Sequence, residues 1–95
     1  MPAYVIVDIS VTDPVIYAEY MKVAPATIAN FGGRYIVRGG KAEKLEGEWA
    51  PRRVVVLEFP SYDRAKAWWA SPEYRKASEL RERSAVANMI VVEGL

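Results

Sequence analysis

The chain has 95 residues, 13 Lys plus Arg against 12 Asp plus Glu for a formal charge of +1, and neither cysteine nor histidine. A chain this short buries about two thirds of its unfolded surface, enough for one core, so a single domain is expected over 1–95, held by packing without disulfides. Balanced charge gives no field to gather nucleic acid or an anionic membrane. Without imidazole or thiolate the usual ligands of zinc, copper and haem are absent, so neither metal nor cofactor is expected, and acid–base chemistry falls to carboxylates, Tyr, Lys or Arg. The first residues lack a basic segment followed by an apolar one, and no run approaches the roughly 18 residues of a membrane helix, so the expectation is a soluble, cytoplasmic protein.

Residues 3–11, AYVIVDISV, are short and β-branched, which predicts a strand. It stops at Asp13, a helix N-cap, with Pro14 at the first helical position. Ile16, Tyr20, Val23, Ala24, Thr27, Ile28 and Phe31 then recur at three- and four-residue spacing, the stripe of a helix lying on a core. Pro25 falls inside that stripe and predicts a kink near Met21 to Val23, or a break into two pieces. Gly32 supplies the left-handed conformation at which helices end.

RYIVR, 34–38, is a second strand between two glycine pairs, and the polar stretch 41–51 is a long hairpin connection. RRVVVLEF makes the third strand. Ser61 caps a helix carrying Ala65, Trp68 and Trp69, and Ser71 followed by Pro72 restarts it to carry Tyr74, Ala77, Leu80 and Arg81. A last strand is expected at about Val86 to Glu93. The order is βαββαβ. It predicts a ferredoxin-like α+β layer, a four-stranded antiparallel sheet with two helices on one face.

A sheet wet on one side should alternate apolar and polar residues. Here Val5, Val7, Ile9 and Val11 alternate with Tyr4, Ile6, Asp8 and Ser10, while Val55, Leu57 and Phe59 alternate with Val54, Val56 and Glu58. Both rows of both strands are rich in apolar residues, and the helices hide only one. A second copy of the chain is the simplest cover for the other, so a homodimer joined sheet to sheet is expected.

A symmetric hairpin sets Arg34 opposite Glu58 and Arg38 opposite Val54, so that Arg34, Ile36, Arg38, Val54, Val56 and Glu58 share a face. The plainer reading of Arg34 and Glu58 is a cross-strand ion pair, worth less than about 1 kcal/mol where exposed. The functional one sets Asp8, Glu58 and an arginine around a cavity, where burial raises a carboxylate's pKa toward proton transfer and the arginine lowers it again. Tyr35 and Tyr74 read either as hydrogen-bond donors in such a cavity or as core residues with a wet tip. Trp68 and Trp69 point about 100° apart on one helix, so one is spare for a dimer edge or a pocket roof. Trp49, in a polar loop, is expected to fold back over something apolar, and Arg81 reads as a solvated helix charge or as a guanidinium at a cavity mouth.

TDP at 12–14, FGGRYIVRGG at 31–40, EGEW at 46–49, EFPS at 58–61, AWWASPEY at 67–74, Arg81 and the closing VVEGL together resemble domain-of-unknown-function family 1330 over the whole chain. The resemblance implies a dimeric α/β-barrel built from ferredoxin-like protomers, and no assigned substrate. It makes Arg34, Arg38, Glu58, Tyr74 and Arg81 candidate site residues by position. The wider superfamily includes cofactor-independent monooxygenases and lactone isomerases; its haem-degrading branch relies on a histidine that this chain lacks. The functional expectation is therefore a homodimer that binds a small anionic or aromatic metabolite, with Glu58 and Asp8 as the catalytic candidates and Arg34, Arg38, Tyr35, Trp49, Trp68, Tyr74 and Arg81 as the binding ones. The alternative is a non-enzymatic ligand-binding or interaction module. An RNA-recognition domain shares the element order, but the third strand lacks the glycine–aromatic pattern for base stacking.

Overall fold

The computed structural model describes residues 1–95. Its elements are β1 (Ala3–Val11), α1 (Pro14–Asn30), β2 (Arg34–Arg38), β3 (Arg53–Phe59), α2 (Tyr62–Ala70), α3 (Pro72–Ser84) and β4 (Ala85–Glu93). The strands lie in the order β2-β3-β1-β4, every neighbouring pair antiparallel, as in a ferredoxin-like α+β layer. The expected second helix is two, so the layer against the sheet holds three helices. No helix is long and apolar enough to cross a membrane.

Each boundary has a local cause. The Asp13 carboxylate accepts from the amides of Val15 and Ile16, satisfying two of the donors a helix start leaves unpaired. At the other end of α1, Gly32 takes φ +78°, its amide donates to the carbonyl of Ala29, and that of Gly33 donates to Ile28. This is the paired closure of a Schellman motif, which a side chain at Gly32 would strain. Ser71 serves two helices at once: its hydroxyl donates to the Trp68 carbonyl at 2.7 Å and accepts from the Tyr74 amide at 3.2 Å. Of the two outcomes expected at Pro25, a kink or a break, the break does not occur: α1 stays helical from Pro14 to Asn30. The packed face of α1 keeps it whole: Tyr17, Tyr20, Ala24, Thr27 and Ile28 are buried on both sides of the proline. Tyr17 rather than Ile16 begins the buried stripe, and Val23 is left 43% exposed.

One row of the sheet faces the helices. Ala3, Val5, Val7 and Ile9 from β1 and Val55, Leu57 and Phe59 from β3 are buried there with Trp68 and Tyr74. The opposite row carries an apolar line across all four strands, because Val37 pairs with Val56, Val56 with Ile6 and Ile6 with Ile90. No helix covers that line, and Ile90 is 59% exposed.

The hairpin from β2 to β3 departs from a symmetric register. Arg34 faces Glu58 and Tyr35 faces Leu57, but Val37 then faces Val56 and Arg38 faces Val55, with Ile36 as the extra residue of a bulge. A shift of one residue reverses the side to which every following side chain points. Arg38 therefore lies on the helix side of the sheet, and the expectation that it shares a face with Arg34 and Glu58 is corrected.

Gly33 sits where β2 begins, and a Cβ there would come 2.5 Å from the ring of Phe59, a core residue 1% exposed. Gly33→Ala is expected to overpack that contact and cost about 1–3 kcal/mol, read as a lower urea midpoint at unchanged slope.

Candidate functional site

Between the helices and the inner face of the sheet lies a cavity lined by 14 residues, 11 of them hydrophobic. β1 and β3 supply its floor through Val7, Ile9, Val55 and Leu57; α1 contributes Tyr17 and Tyr20, β2 contributes Tyr35 and Arg38, and Trp68, Arg53 and Arg81 complete the polar and aromatic wall. No Asp or Glu lines it. The space unfilled by protein is about 420 Å³, of which about 30 Å³ can hold the centre of a water molecule. It is a narrow cleft, roomy enough for one or two waters until a side chain moves.

Helical spacing assembles one wall. Tyr17 and Tyr20 are three residues apart on α1, with ring centroids 5.6 Å apart, and Tyr74 and Arg81 lie two turns apart on one side of α3. Packing of α1 against α3 brings the Tyr20 and Tyr74 hydroxyls to 2.9 Å, and the Arg81 Nε–H donates to the Tyr74 hydroxyl at 3.3 Å. Trp68, 1% exposed, packs 4.1 Å from the Tyr74 ring and donates from its indole N–H to the Thr27 hydroxyl at 3.1 Å.

The sheet supplies the other wall. The Arg38 guanidinium stands 4.3 Å from the Tyr35 ring centroid, a cation–π contact at the mouth. Arg53, whose guanidinium lies 6.0 Å from the centroid of Tyr17, reaches the cavity past Gly39. Gly39 has φ +72°, and a Cβ there would collide with the Arg53 guanidinium. The bare backbone lets the cation through.

Burial, then the neighbouring Tyr74, pushes the Tyr20 phenol far above its ordinary value of 10.0. Burial also raises Tyr35, although the Arg38 charge pulls the other way. Burial opposes the charge of Arg81, but the adjacent Tyr74 and Tyr20 hydroxyls outweigh it and the guanidinium's pKa rises. At neutral pH Tyr20 and Tyr35 therefore stay protonated, beside a fixed cation at Arg81.

Arg38, Tyr35, Trp68 and Arg81 thus meet around this cavity, and Tyr74 stands directly behind Tyr20. The other candidates lie across the sheet. Glu58 and Asp8 both face outward, opposite Tyr4 and Val54. Glu58 is held by Arg34 in the expected cross-strand ion pair, Nη2 to Oε1 2.8 Å, on a side chain of Arg34 that is 72% exposed. Asp8 accepts from the Trp49 indole N–H at 2.8 Å and from the Arg52 amide at 3.3 Å. Trp49 therefore folds back toward the outer face of the sheet, where its N–H meets a carboxylate. Trp69 is the spare indole, 47% exposed beside Met89, Ile90 and Val91 of β4, with the Arg75 guanidinium 4.1 Å from its ring. No three acidic side chains come together as a metal site would need.

Sequence reasoning passed over Arg53, Tyr17 and the polar end of Tyr20. For Arg53 the signal was present, since it alternates with Val55, Leu57 and Phe59 and so belongs to the inner row. For Tyr20 the stripe was read correctly as buried, but nothing in the spacing places its hydroxyl against one 54 residues later.

A ferredoxin-like domain with a cationic, carboxylate-free cleft between its layers defines a class of fold. Within it, the chain belongs to the family described as Domain of unknown function (DUF1330), whose model matches residues 2–95. No curated protein matches the chain significantly. Among solved structures it is similar to a protein of unknown function from Rhodopseudomonas palustris, with TM-score 0.80 and 19% identity over 99% of this chain and 82% of that one. A dimeric protein of unknown function and ferredoxin-like fold from Bacteroides fragilis matches with TM-score 0.64 and 14% identity over 98% of this chain and 96% of that one. SnoaB, a cofactor-independent oxygenase from Streptomyces nogalater, matches with TM-score 0.59 and 12% identity over 99% and 93%. These likenesses show a shared fold.

The raised phenols predict an alkaline limit. Above the ordinary phenol value of 10.0 the unfolded chain gives up protons that folded Tyr20 and Tyr35 keep, so stability present below that pH falls as pH rises. Tyr20 alone should contribute a slope of about 1.4 kcal/mol per pH unit. Thermal melts of the parent and of Tyr20→Phe between pH 8 and 11 should show a flatter alkaline limb in the variant; equal slopes would count against a buried, protonated Tyr20.

Proposed function

We propose that the chain is a homodimeric small-molecule-binding protein whose ligand is a compact anionic or aromatic metabolite held in the cleft between the sheet and the helices. The observation that carries this reading is the lining: three arginines, Arg38, Arg53 and Arg81, with three tyrosines and no acid. Cations beside apolar walls without a counter-charge are costly to retain for packing alone and favour a negatively charged guest. Arg38 is exposed, on an edge strand, and its swing away from Tyr35 is the simplest way to widen the narrow space.

The position of the carboxylates bears on chemistry. With Glu58 paired to Arg34 and Asp8 to Trp49 on the outer face, no acidic base stands inside the cleft. The geometry thus favours binding over proton transfer by Glu58 or Asp8, and the non-enzymatic module becomes the second reading. The likeness to a cofactor-independent oxygenase keeps catalysis by the tyrosines and arginines within the proposal, at the level of a shared fold.

The uncovered line Val37, Val56, Ile6 and Ile90 is proposed as the centre of a sheet-to-sheet dimer, a reading supported by the dimeric relative of the same fold. Arg34, Glu58, Asp8 and Trp49 would then rim that interface.

Native mass spectrometry on freshly purified protein tests both parts. The expected species is two chains, with a small acid retained in the parent and lost on mild activation. Ile90→Glu, at a position already exposed in the protomer, should give a folded monomer. A parent that is monomeric at micromolar concentration would remove the dimer.

A further inference from the structure

We infer that the cleft reads its ligand through two hydrogen-bond donors without protein acceptors, the Tyr20 hydroxyl and the Arg53 Nε–H, and so takes an oxyanion such as a carboxylate. This rests on the cleft being the binding site, and it names the chemistry that the site accepts.

The direction of the Tyr20 bond follows from its neighbours. The Arg81 Nε–H can only donate, so the Tyr74 oxygen accepts it. Two arrangements of the Tyr20–Tyr74 contact remain. If Tyr20 donated, the Tyr74 oxygen would accept twice and its own hydrogen would be sealed in the interior without an acceptor, because Tyr74 is 0% exposed and does not line the cleft. If Tyr74 donates, the chain runs from Arg81 to Tyr74 to Tyr20, and the unassigned hydrogen belongs to Tyr20, which does line the cleft. Unpaired buried donors are the costlier outcome, so the second arrangement holds. Its phenol stays protonated through neutral pH, which leaves Tyr20 a donor and not a base.

Arg53 supports the same polarity from the opposite wall. Its Nε is buried and has no hydrogen-bond partner, while its guanidinium reaches the cleft through the gap left by Gly39. Both polar atoms left over are donors, one belongs to a guanidinium and the other is linked through Tyr74 to that of Arg81, and the lining holds no carboxylate. A ligand that itself donated there would face hydrogens on both sides. An oxyanion satisfies both donors and the charge of the arginines together.

The test uses the full chain and two pairs of probes of matched shape: propanoate with propanamide, and benzoate with benzamide. Binding is followed by the fluorescence of Trp68, isolated in a Trp49→Phe, Trp69→Phe background. The expected result is that each carboxylate binds about tenfold or more tightly than its amide, and that Tyr20→Phe, which removes only the hydroxyl, weakens the carboxylate by about five- to thirtyfold and the amide, whose carbonyl accepts only an uncharged bond, by less. Arg53→Lys keeps the charge and removes the Nε–H, and serves as the second variant should Tyr20→Phe fail to fold; it should also weaken the carboxylate. Equal affinity for acid and amide would overturn the donor argument while leaving the cleft as a binding site. A carboxylate preference untouched by either substitution would overturn the assignment to these two atoms. No response to any of the four probes at their solubility limits would remove the cleft as a site, and this inference with it.

Discussion

The placement of the Trp68 indole is the constraint on which the rest of the structure depends. The ring is almost wholly buried, 5.4 Å from Phe59 of β3 and 4.1 Å from Tyr74 of α3, and its N–H must find an acceptor in that apolar setting. The acceptor is the Thr27 hydroxyl, which donates in turn to the Ala24 carbonyl of α1. One side chain of α2 thereby fixes the sheet, α3 and the rotation of α1. That rotation turns Tyr20 toward Tyr74 and makes the polar wall possible. The same ring also lines the cleft between the helices and the sheet.

The bulge in β2 has a comparable reach on the sheet side. Without the extra residue at Ile36, Arg38 would follow Arg34 onto the outer face and the cleft would lose a cation. With it, a five-residue strand delivers one arginine to each side: Arg34 to Glu58 on the outside, Arg38 to Tyr35 within. The exposed pair contributes less than about 1 kcal/mol, whereas the inner arginine stands at the entrance of a cleft that has no acid to neutralise it. The two faces of the sheet thus treat their arginines differently, with Arg34 paired to an acid outside and Arg38 without one inside.

The boundaries of the elements were legible because each is set by neighbours in sequence. Asp13 before Pro14, Gly32 with Gly33, and Ser71 before Pro72 act within three or four residues, and all of them cap or close the helices that their types imply. The doubled apolar rows of β1 and β3 followed from the period of two. Of the kink or break that Pro25 suggested, the break did not occur, because a local rule met a tertiary force: five buried side chains around the proline hold α1 in one piece.

The candidate site was legible only in part. Tyr35, Trp68 and Arg81 were singled out by type and do line the cleft, while Glu58 and Asp8 lie on the opposite row of the sheet, away from it. Sequence alone determined the βαββαβ order, the caps and which rows are apolar, since propensity, capping and periodicity operate over a few bonds. Tertiary structure alone decided that Arg38 turns inward, that Tyr20 meets Tyr74 and that Arg53 passes Gly39. Those outcomes depend on register and on contacts between residues far apart in the chain, where a shift of one position reverses a side chain and no local pattern records it.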